Sequence, residues 1–205
     1  MLDRRSLVLA AVAVVLGRPA AAADEITEAK AFVQRTGDAI LSVINGDLSP
    51  GDKHQALARI VIQDVDVDGV ARFALGRFWR LASPAQRETY LSLFRQYLVF
   101  NVTGRLAQYK GTTFKLGRAT PMNGDVSVTT TIYEPNNQPA DLQWMVSFES
   151  GGPKIVDLVA EGTSLRVTQR SEYASVITRN GGQDVQALLD AMHAQLKRMT
   201  EGGNG

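Results

Sequence analysis

The apolar positions of this chain change period partway along it. Ile26, Ala29, Phe32, Val33, Ala39, Ile40, Val43 and Ile44 fall at helical spacing and predict a helix over Ile26–Asn45. Ser49-Pro50 opens a second helix through Ala56, Leu57, Ile60 and Val61, with Pro50 at the first position, where no N–H partner is lost. A short third helix holds Val70, Phe73, Ala74 and Leu75, with Asp68 as its expected N-cap and Gly76 closing it. Ser83-Pro84-Ala85-Gln86 is a capping-box sequence. It opens the longest helix, from Pro84 to about Lys110, with Tyr90, Leu91, Phe94, Leu98, Val102 and Leu106 along one stripe and Gly111 as its stop.

Beyond Gly111 the period drops to two. Thr112–Ala119, Asp125–Glu134, Ala140–Ser150 and Lys154–Glu161 read as strands separated by Asn123-Gly124, Pro135-Asn136-Asn137 and Gly151-Gly152-Pro153. Leu142, Trp144, Val146 and Phe148 share one face, with Gln143, Met145, Ser147 and Glu149 on the other. Val126, Val128, Thr130 and Ile132 alternate in the same way with Asp125, Ser127, Thr129 and Thr131. Such an apolar face either closes on a core or lines a pocket. Helical spacing returns over Ser164–Arg179 and Asp184–Met199, and the glycine-rich tail 201–205 is expected to fray. Helices followed by a meander predict an α+β fold: a twisted antiparallel β-sheet of about four strands packed by N- and C-terminal helices.

The N-terminal segment stands apart. Arg4 and Arg5 precede an apolar run, Leu7–Leu16, then Arg18-Pro19 and the small residues Ala20–Ala23. This order predicts a secretory signal peptide over residues 1–23, cleaved near Asp24. The run of ten residues is well short of the roughly twenty needed to span a bilayer. Arg4-Arg5-Ser6-Leu7 also faintly resembles a twin-arginine signal.

Composition narrows the chemistry. The 205 residues include no Cys and two His, His54 and His193, so thiol chemistry, disulfides and a histidine-rich metal cage are excluded. A formal charge of +1 lacks the electrostatic footprint of a nucleic-acid binder. Asp64-Val65-Asp66-Val67-Asp68-Gly69 imitates the start of a calcium loop, but the ninth and twelfth positions are Arg72 and Leu75 rather than ligands. No metal site is expected. Asp157, Glu161 and Ser164 are the closest approach to a catalytic cluster, with Asp157 and Glu161 at i and i+4 on a strand and Lys154, Arg166 and Arg170 able to pair with them. Ser164 lacks a local base and a G-x-S-x-G setting, so no catalytic constellation is complete.

Several segments in order carry a resemblance. They are Val67-Asp68-Gly69-Val70-Ala71-Arg72-Phe73-Ala74-Leu75-Gly76-Arg77-Phe78-Trp79-Arg80 followed by Ala82-Ser83-Pro84-Ala85-Gln86-Arg87; then Leu106-Ala107-Gln108-Tyr109-Lys110-Gly111. Lys154-Ile155-Val156-Asp157-Leu158, Glu161-Gly162-Thr163-Ser164-Leu165, Arg170-Ser171-Glu172-Tyr173 and the Gly-Gly-x-Asp of Gly181–Leu188 complete the set. Across residues 26–192 the chain resembles the toluene-tolerance, or MlaC, family of periplasmic phospholipid carriers. It departs where the family usually has an aromatic before the Lys-Ile-x-Asp element, because Gly152-Pro153 stands there.

The resemblance implies a cone akin to nuclear-transport-factor folds, with an apolar pocket for acyl chains, in one lipid-binding domain over residues 24–200. It implies a non-enzymatic shuttle without cofactor, working in the periplasm. Its partners would be phospholipid, an outer-membrane lipoprotein–porin complex and an inner-membrane ABC transporter complex, and its effect the maintenance of outer-membrane lipid asymmetry. The expected pocket lining is Phe94, Leu98, Val102, Val128, Ile132, Trp144, Val146, Phe148 and Leu158. Two other readings stand beside it: a hopanoid-associated carrier of the same family, and a small exported hydrolase using Asp157 and Glu161.

Overall fold

Helices occupy the first half of the chain, a meander follows, and two helices close it. The computed structural model describes residues 18–106, 109–135, 137–179, 181–182 and 184–202. The helices are α1 (Arg18–Asn45), α2 (Pro50–Asp64), α3 (Val67–Leu75), α4 (Phe78–Leu81), α5 (Pro84–Leu106), α6 (Leu165–Arg179) and α7 (Gln186–Gly202). The strands are β1 (Thr113–Met122), β2 (Asp125–Tyr133), β3 (Ala140–Ser147), β4 (Lys154–Ala160) and β5 (Thr163–Ser164). They form one antiparallel sheet in sequence order, with the short β5 added to the expected four. The fold is α+β. Of the expected signal segment, residues 1–17 lie outside the described residues, while Arg18–Ala23 continue α1 toward its N-terminus.

Local chemistry explains most of these bounds. Ser49 caps α2 by accepting from Asp52 N. The capping box of α5 is reciprocal: Ser83 N donates to Gln86 Oε1 at 3.0 Å, and Gln86 N donates to Ser83 Oγ at 3.2 Å. Gly76 ends α3 at φ 56, a conformation that favours glycine. Asn123 (φ 55) and Gly124 (φ 92) make the tight β1–β2 turn, the pair of positive angles that an Asn-Gly hairpin supplies.

Some expectations are corrected. The cap of α3 is Asp66, whose carboxylate accepts from Gly69 N at 3.0 Å, two residues earlier than the expected Asp68. Asp68 instead pairs with Arg95 across to α5, at 2.9 and 2.6 Å. The helix expected to be the longest, α5, ends at Leu106 rather than near Lys110 and, at 23 residues, is shorter than α1 at 28; the turn α4 intervenes before it. The carboxylates of the calcium-like segment serve separate partners, Asp64 taking a 2.6 Å bond from Thr36 Oγ1.

Burial divides into two apolar clusters. One lies among the helices, built on Ala71, Leu75, Phe78, Tyr90, Phe94, Tyr173, Ile177 and Leu188. The other lies between α1 and the sheet, built on Ala29, Phe32, Val33, Val126, Val128, Trp144, Val146 and Ile155. Val65, on the link between α2 and α3, packs on both. The backbone there is tied to the sheet, Asp66 N donating to Ile155 O at 3.0 Å.

Candidate functional site

The sheet's apolar face is assembled by register. Val126 pairs with Val146, which pairs with Ile155; Val128 pairs with Trp144, which pairs with Leu158. Further along, Thr130 faces Leu142 and Leu142 faces Ala160, while Phe114 and Ala140 flank Ile132. Residues directly opposite on neighbouring strands share a face, so these rows form one continuous surface. Register shifts at Leu116/Ala119 and at Met145/Val146 mark bulges, which bend and twist the sheet. Thr130 is the polar exception and is satisfied: Trp144 Nε1 donates to its hydroxyl at 2.9 Å.

Helix α1 lies over this surface through Ala29, Phe32 and Val33. Gly37 permits the approach near β1, because a Cβ there would stand 2.5 Å from the tip of the Phe114 ring. Val128 and Val146 are fully buried beneath this layer.

The nine residues expected to line a pocket do not gather in one place. Val128, Trp144 and Val146 sit in the sheet cluster, with Phe148 and Leu158 half-buried against it. Ile132 is half-buried farther along β2. Phe94 belongs to the helical cluster, its ring 5.8 Å from that of Tyr90 and 6.4 Å from that of Tyr173, and Leu98 packs on the same cluster. Val102 is half-buried on α5. The α1 residues that meet the sheet face, Ala29, Phe32 and Val33, are absent from the expected lining. Their i, i+3, i+4 spacing marked a buried stripe without saying what it would cover.

Two open clefts lie on the helical side. One, of about 380 Å³, is lined by His54, Gln96, Val99, Phe100, Leu196 and Lys197. The other, of about 540 Å³, runs beside α7 and includes Glu88, Ser92 and His193. His54 Nδ1 lies 2.8 Å from Thr103 Oγ1, and His193 Nδ1 lies 3.0 Å from the carbonyl of Leu189, so the two histidines serve separate neighbours. Burial in the helical cluster pushes the hydroxyls of Tyr90 and Tyr173 well above the ordinary tyrosine range. Tyr90 donates to the carbonyl of Ala71 at 2.8 Å, whereas the Tyr173 hydroxyl meets no partner among the described residues.

The acidic cluster near β4 resolves into a helix anchor. Asp157 is buried and accepts from Ser164 Oγ at 2.5 Å, Leu158 N at 2.9 Å and Arg166 N at 3.0 Å. The Arg166 Nε stands 3.5 Å from the same carboxylate, too poorly aimed for a hydrogen bond but close enough for an ion pair. Ser164 in turn accepts from Val167 N at 3.2 Å, completing the start of α6. Glu161 is not on the strand with Asp157: it occupies the β4–β5 turn at φ 50, exposed to solvent. The expected i, i+4 carboxylate pair is therefore not formed.

Comparison with known proteins agrees with this architecture. The family model described as MlaC protein matches residues 34–194. A solved structure of a phospholipid-binding protein from Ralstonia solanacearum, in complex with a phospholipid, superposes with a TM-score of 0.73. That protein is 27% identical, and the match covers 84% of this chain and 99% of the other. With the family match spanning most of its length, this chain belongs to the MlaC family.

Proposed function

We propose that this chain is a periplasmic carrier that encloses the acyl chains of a phospholipid and moves it between membranes. The observation that supports it most is the phospholipid bound to the structural relative from Ralstonia solanacearum. In this reading the tails lie against the apolar sheet face, among Val128, Ile132, Trp144, Val146, Phe148 and Leu158, with α1 as the movable cover. Phe94 and Leu98 hold the helical layer together, and Val102 lies half-buried on α5.

The energetics suit a carrier. Burial of each CH₂ is worth about 0.8 kcal/mol, so two long acyl chains gain a gross figure on the order of 20 kcal/mol from enclosure. The phosphate has to stay in water or be paired, because burying an unpaired charge is prohibitive. An aliphatic interior with a polar mouth meets both demands without catalytic groups, and the anchoring role of Asp157 leaves the hydrolase reading without its carboxylate pair.

On this reading residues 1–23 direct export and are removed, and residues 24–200 form one lipid-binding domain. The carrier exchanges lipid with an outer-membrane lipoprotein–porin complex and an inner-membrane ABC transporter complex, and so maintains outer-membrane lipid asymmetry. The test is extraction of labelled phospholipid from vesicles by the purified chain. Capture of phospholipid, lost when Val146→Asp is made in protein that still folds, is expected. Folded wild-type protein that extracts none would overturn the reading.

A further inference from the structure

Six arginines are carried by α3, α4, α5, α6 and the links between them, helices that pack on one another through α3. Residues 69–87 carry Arg72, Arg77, Arg80 and Arg87 and no Asp or Glu, and α6 adds Arg166 and Arg170. Five of them stack on three aromatic rings. The guanidinium carbons of Arg166 and Arg170 lie 4.5 and 5.2 Å from the centroid of Phe73. Those of Arg72 and Arg87 each lie 5.3 Å from Trp79, and that of Arg77 lies 4.9 Å from Phe78. Arg87 Nε also donates to the carbonyl of Trp79 at 2.8 Å, and its Nη2 reaches 3.5 Å from the carbonyl of Arg80.

Among the described residues, Arg166 is the one member of this set with an ion pair, to Asp157. Neighbouring carboxylates are engaged elsewhere: Asp66 caps α3, Asp68 pairs with Arg95, Glu172 accepts from Gln169, and Glu88 faces the cleft beside α7. Stacking on a ring holds a guanidinium in place while leaving outer N–H groups for an anion. Like charges carried by neighbouring side chains repel one another, which an anion over them would relieve. Exposed aliphatic side chains adjoin it. Leu81, at the end of α4, is 58% exposed, and Leu165 and Val167, on either side of Arg166, are each 50% exposed.

We propose that this arginine–aromatic face docks the protein on an anionic bilayer surface. Lipid phosphates take the outer guanidinium N–H groups, and Leu81, Leu165 and Val167 settle among the headgroups. An acidic protein surface would neutralise the arginines but would leave those aliphatic side chains without an apolar partner, which favours the bilayer. The inference goes beyond lipid carriage, because a carrier handing its cargo only to protein partners needs no such face.

The test is co-sedimentation of the purified chain with phosphatidylglycerol-containing vesicles and with pure phosphatidylcholine vesicles. Binding to the anionic vesicles is expected to be tighter by about tenfold or more and to collapse in roughly 0.5 M salt. The variant Arg72→Gln/Arg77→Gln/Arg80→Gln alters exposed side chains alone. It should lose anionic binding by about tenfold or more, while remaining folded and keeping its co-purified phospholipid. Equal binding to both vesicle types, or a variant that binds as the wild type does, would overturn the proposal. So would absence of vesicle binding with salt-sensitive binding to polyglutamate, which would assign the face to an acidic protein. Because cargo loading is read separately, failure here is distinguishable from failure of the carrier reading.

Discussion

Replacing Asp157 separates an anchoring carboxylate from a catalytic one. Its side chain is 4% exposed and takes hydrogen bonds from Ser164 Oγ and from the backbone N–H groups of Leu158 and Arg166. Hydrogen bonds to a charged acceptor contribute about 1.5–3 kcal/mol each. In Asp157→Ala the Ser164 hydroxyl can turn to water, while the two backbone donors at the β4–α6 junction lose their acceptor. The ion pair with Arg166, at 3.5 Å and with a quarter of the arginine exposed, adds little. The expected loss is about 3–5 kcal/mol, which for a protein of this size lowers Tm by about 6–20 °C. Asp157→Asn keeps one acceptor oxygen and should lose about half as much. Denaturant unfolding and calorimetry measure the change, with ester and glycoside hydrolysis assayed on the same samples. An Asp157→Ala protein within about 1 kcal/mol of wild type would refute the anchoring argument, and a hydrolytic activity abolished at unchanged stability would restore the catalytic one.

Other outcomes follow from the two cores. Tyr90→Phe removes the 2.8 Å bond to Ala71 and should cost about 1 kcal/mol, whereas Tyr173→Phe removes an unpartnered hydroxyl and should be neutral or stabilising in urea unfolding. Both tyrosines have folded-state pKa values raised above the unfolded value of 10.0, so the folded state holds more protons above that pH. Stability is therefore present below about pH 10 and falls as pH rises further; a pH–stability profile in which the alkaline decline survives unaltered in the double Phe variant would contradict this. Trp144→Phe removes the 2.9 Å bond to the Thr130 hydroxyl, which keeps its 3.4 Å bond to the carbonyl of Leu142, and should cost about 1 kcal/mol, with Trp144→Phe/Thr130→Val losing less than the sum of the single changes in a double-mutant cycle. His54→Gln/His193→Gln should leave phospholipid capture near wild type, because the two rings have separate local partners; loss of capture at unchanged Tm would reopen a functional role for them.

What could be read from the chain was local. The capping box at Ser83 and Gln86, the Asn123-Gly124 turn and the pairing of the strands β2 and β3 depend on neighbours within a few residues, and all appear as expected. What could not be read depends on distant partners. Asp66 and Asp68 are two residues apart, and the choice of cap is decided by Arg95, which draws Asp68 away to α5. Alternation places Met145 and Ser147 on the face opposite Trp144 and Val146 without saying what covers it, and both are buried. Met145 pairs with Asp157, whose carboxylate anchors α6, so the second face is also covered at this end of the sheet. Glu161 left its expected strand because Glu161-Gly162 adopts positive φ and turns the chain back into β5. The apolar sheet face was legible as a face; its cover by α1 was not, since periodicity names the buried side of an element and not the surface it meets.

The most direct test of lipid carriage is mass spectrometry of the protein purified under native conditions, intact and after solvent extraction. The account predicts a folded chain that carries phospholipid in a defined ratio, with the lipid depleted by Val146→Asp and retained by the arginine-to-glutamine variant of the basic face. A folded wild-type protein that carries no phospholipid, and acquires none when incubated with phospholipid vesicles, would contradict it.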